Sequence, residues 1–124
     1  MLAVKAPPLA ERAVQRGALR LLALAGFTAV HVPNGSHLSG DVVARAKQSA
    51  ALKRDGLAVG FPDLIVLGKL PGQIGFMECK RQKGGRVSAE QAGWRDFLIA
   101  LGWPWHLVSA PEDAMAGLRA WGWR

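Results

Sequence analysis

The stretch Gly60-Phe61-Pro62-Asp63-Leu64-Ile65-Val66-Leu67 decides how this chain folds. Leu64 to Leu67 is a short apolar run, the sign of a buried strand. A Gly/Pro turn from Gly68 to Gly72 follows, and Ile74 to Lys80 is the expected hairpin partner. In such a hairpin the start of one strand lies beside the end of the other. Asp63, at the head of the first, then meets Glu78 and Lys80 at the end of the second. Glu78 and Lys80 share a face because strand side chains alternate with period two. Two carboxylates and one ammonium converge at one end of a sheet.

Outward from the hairpin the remaining elements are legible. Pro7 and Pro8 precede a helix expected over about Leu9 to Ala25, stopped by Gly26. Leu9, Ala13, Leu21 and Leu24 are expected on its apolar stripe, with Arg12, Arg16 and Arg20 recurring on another face. Phe27 to Val32 alternates as a strand, with Thr28, Val30 and Val32 on one side. Asn34-Gly35-Ser36-His37 is turn chemistry. A basic helix (Arg45, Lys47, Lys53, Arg54) is expected from about Asp41 to Arg54. Lys80 to Arg86 is a basic, glycine-containing loop. Ser88 and Gln91 form a capping box that opens a third helix. Gly102 ends that helix, and Trp105 to Val108 is a fourth strand. Ser109 with Glu112 reads as a second capping box, opening a last helix to about Ala120. The order α-β-α-β-β-α-β-α predicts an α/β fold with one mixed four-stranded sheet flanked by helices.

The 124 residues suit one domain, with residues 1–8 as a loose arm. Half the residues are hydrophobic and a fifth charged, a globular composition. Sixteen Lys and Arg against nine Asp and Glu give a net charge of +7, which fits a phosphate-rich partner. Cys79 is the single cysteine, which excludes an intramolecular disulfide and a Cys-x-x-Cys zinc site. The longest stretch free of Asp, Glu, Lys and Arg, Leu21 to Gly40, is broken by Pro33, Asn34 and Gly35, so no membrane span is expected. His31, His37 and His106 have no metal-ligand spacing with Cys79. Cys79 reads as a packed core thiol because its side chain points away from Glu78 and Lys80. The five tryptophans (94, 103, 105, 121, 123) follow apolar faces and read as core or subunit interface.

The clustered carboxylates point to chemistry. They repel each other, and a hard divalent cation relieves that repulsion. Such an ion also lowers the pKa of a bound water and neutralises charge on a phosphate. A neighbouring lysine orients the water or stabilises the transition state. Arg81, Lys83 and Arg86 can hold DNA phosphates, with Gly84-Gly85 allowing close backbone approach. Arg45, Lys47, Lys53 and Arg54 either extend that track or form a solvated face.

Gly60-Phe61-Pro62-Asp63-Leu64, Glu78-Cys79-Lys80, the basic glycine loop, and Val87-Ser88-Ala89-Glu90-Gln91 followed by Trp94 resemble the VRR-NUC nucleases. These are the virus-type replication-repair branch of the PD-(D/E)XK phosphodiesterase superfamily, whose core is restriction-endonuclease-like. The likeness runs from about Glu11 to Ser109. It implies Asp63, Glu78 and the backbone carbonyl of Cys79 as ligands of Mg²⁺ or Mn²⁺. It implies Lys80 as the catalytic lysine and Gln91 as a residue that positions the lysine or a phosphate. Glu11 fits the acidic residue of the family's first helix, acting as a ligand, through a metal-bound water or on a second ion. Asn34-Gly35, in the loop after the first strand, is similar to the family's, with Asn34 a candidate DNA contact, and His37 in the same loop is a candidate to touch DNA or assist the site. Stand-alone members of this kind imply a homodimeric Holliday-junction resolvase acting on branched DNA in the cytoplasm of a bacterium or a phage-infected cell. A flap- or end-directed nuclease and a non-catalytic DNA-binding module are the other two classes open to this sequence.

Overall fold

The computed structural model describes residues 6–33 and 40–124. Its elements follow the order α1 (Glu11–Leu24), β1 (Thr28–His31), α2 (Val42–Arg54), β2 (Leu64–Leu67), β3 (Ile74–Cys79), α3 (Ala89–Ala100), β4 (Trp105–Val108) and α4 (Asp113–Trp121). The strands form one open sheet in the order β1-β2-β3-β4. The first two pairings are antiparallel and β3–β4 is parallel, so the sheet is mixed. The α/β architecture and its element order are those expected. No helix among the described residues is long and apolar enough to cross a membrane.

One face of the sheet carries the main core. Leu64, Val66, Met77 and Cys79 are fully buried there against Val14, Ala18 and Leu22 of α1 and Ala114 and Leu118 of α4. Alternation turns Phe76 and Glu78 to the opposite face, where α3 covers them: Phe61 packs edge-on against both Phe76 and Trp94, and Gln91 reaches Glu78. With both faces covered, β3 is buried from Gly75 to Cys79. The crossover from β3 to its parallel neighbour β4 runs through α3, as a parallel connection requires.

Two local expectations are corrected. The buried stripe of α1 is Val14–Ala18–Leu22; Leu9, Ala13 and Leu24 are exposed, and Leu21 is half-buried. The rotation follows from Gly17, against which Pro111 packs so closely that an added Cβ would lie 2.6 Å from its Cγ. Arg12, Arg16 and Arg20 are exposed as expected. The second correction is at α4. Glu112 makes no side-chain cap, and the Ser109–Glu112 box does not form. Asp113 Oδ2 instead accepts from the backbone N–H groups of Ser109 (2.9 Å) and Ala110 (3.1 Å). A carboxylate one residue further on reaches back over the turn that Pro111 starts, which satisfies donors on the entering chain rather than on the helix.

The capping box at Ser88 and Gln91 does form, with Gln91 N donating to Ser88 Oγ at 3.1 Å and Ser88 N to Gln91 Oε1 at 2.8 Å. The tryptophans behave as expected of core residues at Trp121 and Trp123, which pack against the main cluster. Trp121 lies flat over Gly75, where a Cβ would come within 2.4 Å of the indole. Gly75→Ala should therefore lower stability by about 1–3 kcal/mol through overpacking, read as an earlier urea midpoint with an unchanged m-value.

Candidate active site

The site is built on the open end of the β2–β3 hairpin. Leu64 pairs with Met77, which brings Asp63 level with Glu78 and Cys79. The register is fixed by a hydrogen bond outside the ladder: Cys79 N donates to Asp63 Oδ2 at 2.8 Å. The backbone of Asp63 is held from the other side, since Val32 N donates to its carbonyl at 2.7 Å and His31 Nδ1 lies 3.2 Å from the same oxygen. Asp63 is thus clamped by both neighbouring strands while its carboxyl faces Glu78.

Glu78 is 1% exposed, and it is the one buried charged residue of the described chain. Gln91 Nε2 donates to its Oε1 at 2.7 Å. Its Oε2 is buried with no hydrogen-bond donor among the described residues. Burial first, then the charge of Asp63 and a hydrogen bond shared with it, push the Glu78 carboxyl from its ordinary 4.5 up to about 9. Lys80 pulls the other way but weakly: its Nζ is 3.9 Å from Glu78 Oε1, too far for a hydrogen bond. The two carboxyls therefore share a proton or a cation. That orphaned oxygen belongs to a carboxyl lying beside the carboxyl of Asp63, an arrangement in which a divalent ion would fit. No group of three His, Cys, Asp or Glu side chains placed to hold an ion gathers among the described residues. The charge of Glu11 reaches Glu78.

Glu11 lines an open cleft of about 560 Å³ with Lys80, Arg81, Gly84, Gly85 and Arg86. The loop from Lys80 to Arg86 is shaped by its own residues. Arg81 Nη2 donates to the Gly84 carbonyl at 3.0 Å, and Gly84 sits at a φ of +76°. Gly85 packs so tightly that a Cβ would lie 2.8 Å from that of Lys80. Lys83 is exposed at the loop's tip. Of the expected DNA contacts, Arg81 and Arg86 line the cleft, whereas Asn34 and His37 lie outside the described residues.

Two features were beyond the sequence reading. Gln82 forms a reciprocal pair with Leu9: Leu9 N donates to Gln82 Oε1 at 2.8 Å, and Gln82 N to the Leu9 carbonyl at 2.9 Å. This latch fixes the chain just ahead of Glu11 against the basic loop. The second is Gly60, with φ +84°, whose added Cβ would meet the Glu90 carbonyl carbon at 2.6 Å and Gln91 N at 2.8 Å. The segment leading to Asp63 thereby abuts the first turn of α3, the turn that carries Gln91. A glycine before Phe-Pro-Asp was visible in the sequence, but its partner was not. Cys79 is fully buried with its thiol pushed up by burial and by Asp63, as a core cysteine should be. His106 is half-buried beside Gly117, and burial lowers its pKa. Neither His31 nor His106 joins the carboxylates.

No family model, no curated protein and no solved structure matches the chain.

The raised Glu78 carboxyl fixes the sign of a pH effect. It is protonated in the fold but ionised in the unfolded chain above 4.5, so metal-free stability is fully present below 4.5 and is lost as pH rises towards 9. Glu78→Gln keeps the Gln91 contact and removes the charge. In EDTA at pH 8 it should raise the melting temperature by about 4 °C or more. The gain should shrink towards pH 4, and added Mg²⁺ should stabilise the parent protein but not the variant.

Proposed function

We propose that the chain is a metal-dependent DNA endonuclease with a restriction-endonuclease-like PD-(D/E)XK core of the VRR-NUC type, hydrolysing phosphodiester bonds in branched DNA. The observation that carries this reading is the buried Glu78 carboxyl beside Asp63, its Oε2 without a donor among the described residues, next to a cleft lined by Lys80, Arg81 and Arg86. A binding protein has no use for two carboxylates held against phosphates; a hydrolase that needs a cation does.

Asp63, Glu78 and the Cys79 carbonyl would hold Mg²⁺ or Mn²⁺, which when bound lowers the pKa of a water and neutralises charge developing on the phosphate. The chain's own residues supply the rest. Gln91 occupies Glu78 Oε1 and leaves Oε2 free. Lys80, in the cleft, orients the attacking water or meets the negative charge on the pentacovalent phosphorus. The water oxygen bonds to phosphorus as the bond to one sugar oxygen breaks. Arg81, Lys83 and Arg86 hold the strand by its phosphates, and Glu11 acts from the cleft's edge. Working as a homodimer, the protein presents two such sites to symmetry-related strands of a four-way junction, as a Holliday-junction resolvase in the cytoplasm of a bacterium or phage-infected cell.

The test is a cleavage panel with a four-way junction, a 5′ flap, a splayed arm and plain duplex, each with Mg²⁺, Mn²⁺ or EDTA. Paired, symmetric nicks in the junction that need the metal are expected. Asp63→Asn and Lys80→Ala should each slow cleavage by about 10²-fold or more. Asp63→Asn should keep or tighten junction binding, because a negative charge facing phosphate is gone. Cleavage of flaps or ends alone would keep the nuclease and remove the resolvase. Binding without cleavage of any substrate would leave a DNA-binding module.

A further inference from the structure

The helix α2 (Val42–Arg54) buries none of its residues. A helix of this length is marginal in water when it packs on nothing. Here both ends are capped and one side is partly covered. Asp41 Oδ1 accepts from Ala44 N at 2.8 Å, and Gly56, at a φ of +101°, closes the C-terminal turn. Ala44, Gln48, Ala51 and Leu52 form a half-buried inner side. Arg45, Lys47, Lys53 and Arg54 are all exposed, the helix contains no acidic residue, and none of the four cations forms an ion pair among the described residues.

Lys53 and Arg54 complement the helix dipole at the C-terminal end. Arg45 and Lys47 do not. They stand fourth and sixth in the helix, away from its C-terminal turn, so the dipole does not favour them. The outward side between the cations carries Ala46 and Ala50. It offers no large anchor of the kind a protein partner needs. Val42 and Val43 are exposed together in the first turn and make no stripe along the axis, which a membrane-surface helix requires. What remains is a rod of point charges, with Lys47 and Arg54 about 10 Å apart along it. Phosphate backbone is the ligand that needs nothing more. From Gly56 the chain passes Leu57, Ala58 and Val59, which line apolar clefts against Trp94, and reaches Asp63 through Gly60. The rod is joined directly to the catalytic strand.

We propose that α2 is a nucleic-acid-binding element whose four cations contact the phosphate backbone of the DNA. The choice of partner rests on the nuclease reading. The full chain carrying Arg45→Gln, Lys47→Gln, Lys53→Gln and Arg54→Gln together would be compared with the parent by fluorescence anisotropy on a four-way junction and on plain duplex, across 50–200 mM KCl. The slope of log K against log salt should become shallower by about 2–4, close to 0.9 for each lost phosphate contact. Affinity should fall about tenfold or more, while cleavage at saturating DNA stays unchanged. Far-ultraviolet dichroism monitors helix content. Should the quadruple variant lose helix, Arg45→Gln with Lys47→Gln is read instead, and the charge-preserving Lys47→Arg should bind as the parent does. An unchanged slope and affinity overturns the proposal. So does loss of binding to anionic phospholipid vesicles with DNA binding intact. The nuclease reading fails separately: absent cleavage with a shallower slope removes the enzyme and keeps the binding helix, and intact cleavage with an unchanged slope does the reverse.

Discussion

Two carboxyl groups that repel each other are held together at the end of one hairpin, one of them out of reach of water. Most of the chain around them serves that arrangement. A buried acid without partners drives local unfolding or protonation. Here each exposed lone pair that the protein can satisfy is satisfied by a different element: Asp63 by the Cys79 N–H on β3, Glu78 by Gln91 on α3. The oxygen left over is where a cation or a proton must sit.

Keeping α3 in reach of Glu78 places demands well away from the carboxylates. Gln91 serves twice, accepting from Ser88 N through Oε1 and donating to Glu78 through Nε2. The same side chain therefore caps the start of a helix and supports a candidate ligand. Gly60 gives the α3 backbone room to approach, and Trp94 Nε1 donates to the Val59 carbonyl at 3.1 Å one turn later. Phe61 fills the space between Trp94 and Phe76. The loop before β2 and the helix after β3 are thus packed into one unit, and the carboxylates sit where its two halves meet.

Features with a local or periodic signature were legible in the sequence. The apolar run at Leu64–Leu67, the turn after it and the Ser88 box fixed the hairpin and α3, and strand alternation alone put Glu78 and Cys79 on opposite faces. Asp63 met Glu78 because hairpin geometry demands it. What escaped were contacts between distant residues. The rotation of α1 depends on Pro111 meeting Gly17, which no helical wheel contains. The Leu9–Gln82 latch joins residues 73 apart, and a glutamine in a loop carries no sign of which distant backbone its amide will meet. At α4 a Ser-x-x-Glu pattern was present, yet the adjacent aspartate reached the donors first. The orphaned Glu78 oxygen is also invisible in sequence, because spacing shows where a carboxylate points but not which donors miss it.

Cys79 has one further consequence. Its thiol is fully enclosed in the main core, and its own backbone N–H ties β3 to Asp63. Burial and the nearby carboxylates suppress the thiolate, the form that reacts with alkylating agents. Being the single cysteine, it labels only when the strand bearing Glu78 parts from α1 and α4. The rate of its alkylation is therefore a chemical clock for opening at this one strand, read without adding any reporter to the protein.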